Sequence, residues 1–501
     1  MNTVITQIEI DGFKTFKDFK VELAPFQVIV GPNGSGKSNL FDALHLLSRL
    51  AEYDVQTAFQ DLRGDASDQF TKYADGSRSE KIRFAVEMLL NRTVQNINGG
   101  DILSEDSFEP IREVALEYTR LRYELEITFR QEEIYVLHPF QITHESLTSI
   151  TGEDAWSKKY IPSSNNTYLQ GMSEKPDIFI ETIRRSLSEN IQKANNREVE
   201  LNQQVILLLP DRDKRSKIKR FYAGELQRTI LSRTDDIIYP HVLAVREELQ
   251  SLKFFSLNAD ALHRPSAINA SSILKTDGSN LPTTLARIQA EDEASFYMIS
   301  LDMTSLVNSI TDIEVFRSDA MNKYLIRATT SDQRSFLADV LSDGTLRLLA
   351  FATLRNDPRA TGILCIEEPE NGVEPLYLNK IARLLKEMVT DFHEPEQSEP
   401  LRQVICNTHS SLLVSQPEVI DSLLFTFVPT QIQGKNSPAL RVTRMAAVAT
   451  PVTVIESKDE KRPVEAFTID MVRKYLDSDT LQEASNQLQK AKTLLHEGSQ
   501  K

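Results

Sequence analysis

The chain has 501 residues, 40% apolar and 26% charged, a composition that supports a large buried core in a soluble protein of roughly three domains. Its 57 basic and 72 acidic side chains leave a net charge of −15, which excludes a protein that coats nucleic acid or an anionic membrane with its whole surface. Two cysteines exclude a disulfide framework or a cysteine-rich metal site and point to a reducing cytoplasm.

The opening MNTVITQIEI has no basic segment followed by an apolar one, so no signal peptide is expected. Apolar runs such as Val205 to Leu209 fall far short of the ~20 residues that span a bilayer. In chain order, Val4-Ile8-Ile10 and Val21-Leu23 alternate as half-buried strands do. Val28-Ile29-Val30, running into Gly-Pro-Asn-Gly, reads as a strand buried on both faces of a parallel sheet. Ser38 to Leu50 reads as a helix with Leu40, Phe41, Leu44, Leu47 and Leu50 on one face. After a polar stretch (61–79), Ile82-Phe84-Val86-Met88 and Tyr123-Leu125-Ile127-Phe129 predict antiparallel strands in a small separate β layer. Residues 151–306 predict a mainly helical insertion, without the sustained heptads of a long coiled-coil arm. Strands resume at Ile313-Val315, Tyr324-Ile326, Gly362-Ile366 and Gln403-Asn407, and the tail reads as amphipathic helices. The expected division is an N-terminal lobe (1–150), the insertion (151–306), a C-terminal lobe (307–450) and a tail (451–501), in an α/β fold with a mixed sheet. Cys365 and Cys406 lie on core strands and read as small hydrophobes.

Gly31-Pro-Asn-Gly-Ser-Gly-Lys-Ser38 matches G-x-x-x-x-G-K-[ST] between a predicted strand and a predicted helix. Glycines let successive N–H groups point at one phosphate from a helix N-terminus, Lys37 adds a cation, and the Ser38 hydroxyl ligates Mg²⁺. Asn33, Gly34, Ser35, Gly36, Lys37, Ser38 and Asn39 are therefore the expected ATP contacts. Far downstream, ILCIEEPENG places two acids at the end of a buried strand. Glu367 is expected to face the metal and Glu368 to orient the attacking water; a solvated acidic turn is the alternative.

Four segments in this order resemble the head domains of the RecF/SMC branch of ABC-type ATPases, especially short-armed prokaryotic relatives and the ATPase half of OLD-family proteins. They are ITQIEIDGFKTFKDFKVELAPFQVIVGPNGSGKSNLFDALHLL, LSDGTLR (341–347), IEEPENGVEP and VICNTHSSLL. The resemblance implies a P-loop ATPase head whose signature segment closes over ATP held by a partner head. Ser342 and the Gly344 N–H would then contact the γ-phosphate in trans, while the ordinary reading of LSDGTLR is a helix N-cap. It also implies that His409 is the switch histidine near the γ-phosphate and that Lys14 reaches phosphates, a surface lysine being the alternative. Glu367 stands where many relatives have Asp, and Asp343 where the signature has glycine, a carboxylate expected to repel polyphosphate. Gln141 is a candidate for the glutamine that links the β layer to the insert.

Arg212 to Arg220 holds a dense basic cluster that can neutralise nucleic-acid phosphates; a solvated charged helix is the alternative. Glu456 and Asp477-Ser-Asp479 are faintly similar to an OLD-family nuclease centre, with too little chain around them for the whole fold. The leading expectation is a homodimeric ATPase switch serving DNA repair, chromosome maintenance or antiphage defence beside a separate nuclease or toxin. The alternatives are a built-in nuclease, a nucleotide-gated scaffold without turnover, and a transporter subunit, for which Ser38 and Leu341 lie too far apart.

Overall fold

A computed structural model describes residues 3–95, 113–129, 139–152, 154–162, 168–169, 171, 174–184, 204–209, 218–223, 226–393, 401–431, 440–449, 467–468, 471–472 and 474. Two large sheets organise them. The central sheet has seven strands in the order Lys253–Phe255, Gly362–Glu367, Arg402–Thr408, Phe26–Val30, Leu423–Phe427, Arg444–Ala449 and Phe467–Thr468. Its first five strands are parallel, and Arg444–Ala449 runs antiparallel to its neighbour. The continuous apolar runs read from the sequence are these parallel strands, buried on both faces.

Alternation along the strands sorts side chains between two cores. Ile29, Ile363, Cys365, Ile405 and Leu424 face the first, with the helix Lys37–Leu50 and the second sheet. Val28, Val30, Leu364, Ile366, Val404 and Cys406 face the other, against the helices Leu281–Glu291, Glu293–Leu306, Asp343–Asn356 and Leu378–Glu387. Both thiols are buried and free.

The second sheet is antiparallel and larger than expected. Its eight strands run Phe19–Glu22, Thr3–Asp11, Lys81–Leu90, Arg120–Phe129, Phe140–Ser149, Ile178–Arg184, Gln204–Leu208 and Lys219–Tyr222. Gln403 stitches it to the central sheet, accepting from the Ile5 N–H at 2.9 Å and donating to the Ile5 and Ala24 carbonyls at 2.9 Å each.

Among the described residues the stretch 151–306 holds more helix than strand, as expected, but it also supplies three strands beyond that expectation, Ile178–Arg184, Gln204–Leu208 and Lys219–Tyr222, which extend this sheet. These strands are short and separated by polar tracts, and Lys219–Tyr222 is largely exposed, which blurs the period-2 signal. Helices do follow in that stretch, at Pro240–Gln250, Leu281–Glu291 and Glu293–Leu306. Of the tail, the strand Phe467–Thr468 pairs with Arg444–Ala449; Glu456, Asp477 and Asp479 lie outside the described residues, as do Arg212 to Lys217. Among the described residues no helix is long and apolar enough to cross a membrane.

Candidate nucleotide-binding site

Register brings the motifs together. In the central sheet Val30 stands beside Thr408 and Glu367 beside Asn407, so the glycine loop, the acidic pair and the histidine leave one carboxyl edge. The loop turns through left-handed backbone at Gly34 (φ 75°) and Gly36 (φ 99°). At Gly36 a Cβ would lie 2.1 Å from Thr443 Oγ1. The helix Lys37–Leu50 begins there with no side-chain cap and no acid in its first turn, which suits an anion. Ser35 is buried and its hydroxyl has no hydrogen-bond partner, an orphan that a phosphate oxygen can satisfy.

Lys37 is buried, and its Nζ donates to the carbonyls of Gly31 (2.6 Å) and Pro32 (3.0 Å). Burial lowers its pKa while Glu368 and Glu370 act to raise it. Asn33, Gly34 and Ser38 are exposed, Ser38 in the first helical turn. Asn39 turns away and donates to Thr15 Oγ1 at 2.8 Å. Thr15 in turn contacts Thr443 Oγ1 at 2.6 Å, and Thr443 donates to the Ser35 carbonyl at 3.1 Å, so two threonines brace the loop from outside. Lys14 pairs with Asp42 at 2.5 Å on the loop's own helix.

Glu368 follows the acidic strand in left-handed backbone, φ 43°, a conformation that costs a non-glycine residue about 1–3 kcal/mol and clusters at functional sites. Its N–H donates to the Asn407 carbonyl and side chain, both at 3.1 Å. Its carboxylate accepts from Asn371 Nδ2 at 2.5 Å and faces His409 Nδ1 at 3.0 Å. Glu367 opens on a cleft lined also by Phe41, Asp42 and His45 of the loop's helix. Among the described residues no group of three or more His, Cys, Asp and Glu side chains could hold a metal alone. The magnesium ion expected at Ser38 and Glu367 would need the rest of its shell from phosphate oxygens and water, the mode that this ion prefers.

The signature segment lies at the surface. Ser342 caps the helix Asp343–Asn356, accepting from the Thr345 N–H at 3.2 Å, and both Ser342 and Asp343 are exposed. Gly344 packs on the loop after the acidic strand, where a Cβ would meet the Gly372 carbonyl at 3.0 Å.

Residues 4–414 match the family described as the AAA ATPase domain. The chain belongs to that family. The chain is also 35% identical over 91 residues to the chromosome partition protein Smc of Bordetella petrii, covering 18% of this chain and 7% of that protein. To Smc of Methanocaldococcus jannaschii it is 30% identical over 100 residues, 20% of this chain and 8% of that protein. The chain thus spans less than a tenth of the length of these curated relatives. A solved Smc head of Pyrococcus furiosus, bound to the C-terminal domain of ScpA, aligns with a TM-score of 0.40 and 13% identity over 91% of this chain and 100% of that one. The resemblance to SMC/RecF-type ABC ATPases is borne out.

Several residues at the candidate site carry no local sequence signal. Glu370 is buried; Thr408 Oγ1 donates to one of its oxygens, the other has no partner, and burial raises its pKa. Arg347 donates to the Leu257 carbonyl at 2.8 Å and interacts with Asp343, Glu370 and Glu368. Asp343, the carboxylate expected to repel polyphosphate, lies 2.8 Å from His263 Nε2. Gln141 lies in the strand Phe140–Ser149, opposite Thr128 in the antiparallel sheet.

Proposed function

We propose that this ATPase binds and hydrolyses ATP at the glycine loop, closes two copies of itself around the nucleotide, and acts as a switch in DNA repair, chromosome maintenance or antiphage defence beside a separate effector such as a nuclease or toxin. The observation that carries the reading is the Glu368–His409 pair, held at 3.0 Å on the sheet edge where the glycine loop ends. The loop N–H groups and Lys37 hold the β- and γ-phosphates. Ser38 and Glu367 would hold Mg²⁺, which neutralises charge between those phosphates. Glu368 accepts a hydrogen bond from the attacking water and turns it in line, and His409 fixes the Glu368 carboxylate. Ser342 and the Gly344 N–H complete the pocket of the other copy.

Closure in trans is supported by the exposed serine at a helix start and by an apolar rim on the motif-bearing loops. Val340 is 66% exposed beside the signature, Leu376 74% exposed after the acidic loop and Leu412 53% exposed after His409. In the Glu368→Gln variant, phosphate release is expected to fall to background and an ATP-bound dimer to accumulate, read by light-scattering mass. Ser342→Arg is expected to keep nucleotide binding and lose both dimer and turnover. A Glu368→Gln protein that stays monomeric with saturating ATP overturns closure, and one that turns over like wild type overturns the hydrolytic role.

A further inference from the structure

His263 ends the short helix Ala259–Leu262, on a segment far from the glycine loop in sequence, yet it meets the signature. Its Nδ1 lies 2.8 Å from the Ala338 carbonyl, and its Nε2 lies 2.8 Å from Asp343 Oδ1. A carbonyl and a carboxylate are both acceptors, and a neutral imidazole has only one N–H to give. The doubly protonated ring alone satisfies both contacts, so this geometry selects the imidazolium. Asp343 is the next residue after Ser342 and lies in the first turn of the helix that Ser342 caps.

We propose that His263 is a positioning residue for closure: its imidazolium ties down the Asp343 carboxylate and cancels its charge beside the helix start offered to the partner's γ-phosphate. The inference rests on the trans reading above and adds to it a residue outside the signature and a dependence on proton concentration. The other charged groups facing the pair are Asp260, on the helix that His263 ends, and Arg347, one turn along the signature helix. Arg347 is held by the Leu257 carbonyl and shared with Glu368 and Glu370, which leaves His263 as the direct partner of Asp343. The hydrogen bond to Asp343 is the largest influence raising the His263 pKa above 6.5, with Ala338, the Asp343 charge and Asp260 adding to it. Compensation is therefore complete in mild acid and lost as pH rises through that elevated value, leaving a bare carboxylate against incoming polyphosphate.

The test is the ATP-dependent dimerisation constant from pH 6 to 9 in the Glu368→Gln background, with ATP binding to each variant checked by fluorescent nucleotide. With Glu368→Gln alone, dimerisation is expected to weaken about tenfold as pH rises, the order of one partly screened charge pair. Adding His263→Ala is expected to give the weak, high-pH value throughout. Adding Asp343→Asn, with or without His263→Ala, is expected to give tight, pH-independent closure, which separates charge from misfolding. Dimerisation that is insensitive to pH, or a His263→Ala protein that at pH 6 closes as tightly as its parent, overturns this inference and leaves the trans reading intact. ATP-bound monomers at every pH in every variant overturn the trans reading, and this inference with it.

Discussion

Gly36 sits where left-handed backbone and a crowded wall coincide, so an alanine there must strain φ and push Thr443 away together. Gly36→Ala is expected to cost about 1–3 kcal/mol of stability and to abolish measurable ATP binding, checked by thermal unfolding and fluorescent-nucleotide titration. His409→Ala removes the imidazole and with it the contact to Glu368. It is expected to lower kcat about a hundredfold with little change in KM, the pattern of an interaction that acts on the transition state. At this scale the glycine loop, Glu368 and His409 were legible, because each sits in a short motif whose spacing carries the chemistry. The His263–Asp343 contact was not, because its partners are 80 residues apart and only tertiary packing joins them. The same holds for Thr443 behind the glycine loop and for Glu370, which accepts a hydrogen bond from Thr408 on the strand Arg402–Thr408.

Among the elements, the short helix Ile230–Arg233 is tied to the antiparallel sheet by one carboxylate. Glu145 accepts from the Ile230 N–H at 2.7 Å, the Leu231 N–H at 2.9 Å and the Tyr123 hydroxyl at 3.1 Å. It is fully buried, and burial pushes its pKa from 4.5 up to about 7. The folded chain holds this proton more tightly than the unfolded chain. The stability it confers is complete below about pH 4.5 and is lost as pH rises to about 7. Relative to wild type, Glu145→Gln is expected to gain on the order of 3 kcal/mol between those limits; denaturant unfolding at stepped pH measures it, and a constant difference refutes it. Strands with a continuous apolar run or strict alternation were readable, as in Gly362–Glu367 and Lys81–Leu90. The three outer strands were not, since Ile178–Arg184, Gln204–Leu208 and the exposed edge Lys219–Tyr222 are short and none alternates cleanly.

At the scale of the molecule, net charge and local charge part company. Lys219 and Arg220 are exposed on the outer strand Lys219–Tyr222, the described end of the basic cluster, on a chain of net charge −15. We expect binding to double-stranded DNA to fall steeply with salt and to be lost in the triple variant Arg215→Glu, Lys217→Glu, Lys219→Glu. Fluorescence anisotropy across a salt series measures both, and unchanged binding by the variant removes this segment as the contact. The strand order of the central sheet has another outcome. Phe26–Val30, which launches the glycine loop, is flanked by Arg402–Thr408 and Leu423–Phe427. A ribosome therefore makes the phosphate cradle's strand early and both of its neighbours late. A nascent chain that stops before Arg402 lacks both strands that seat the cradle's own strand in the sheet.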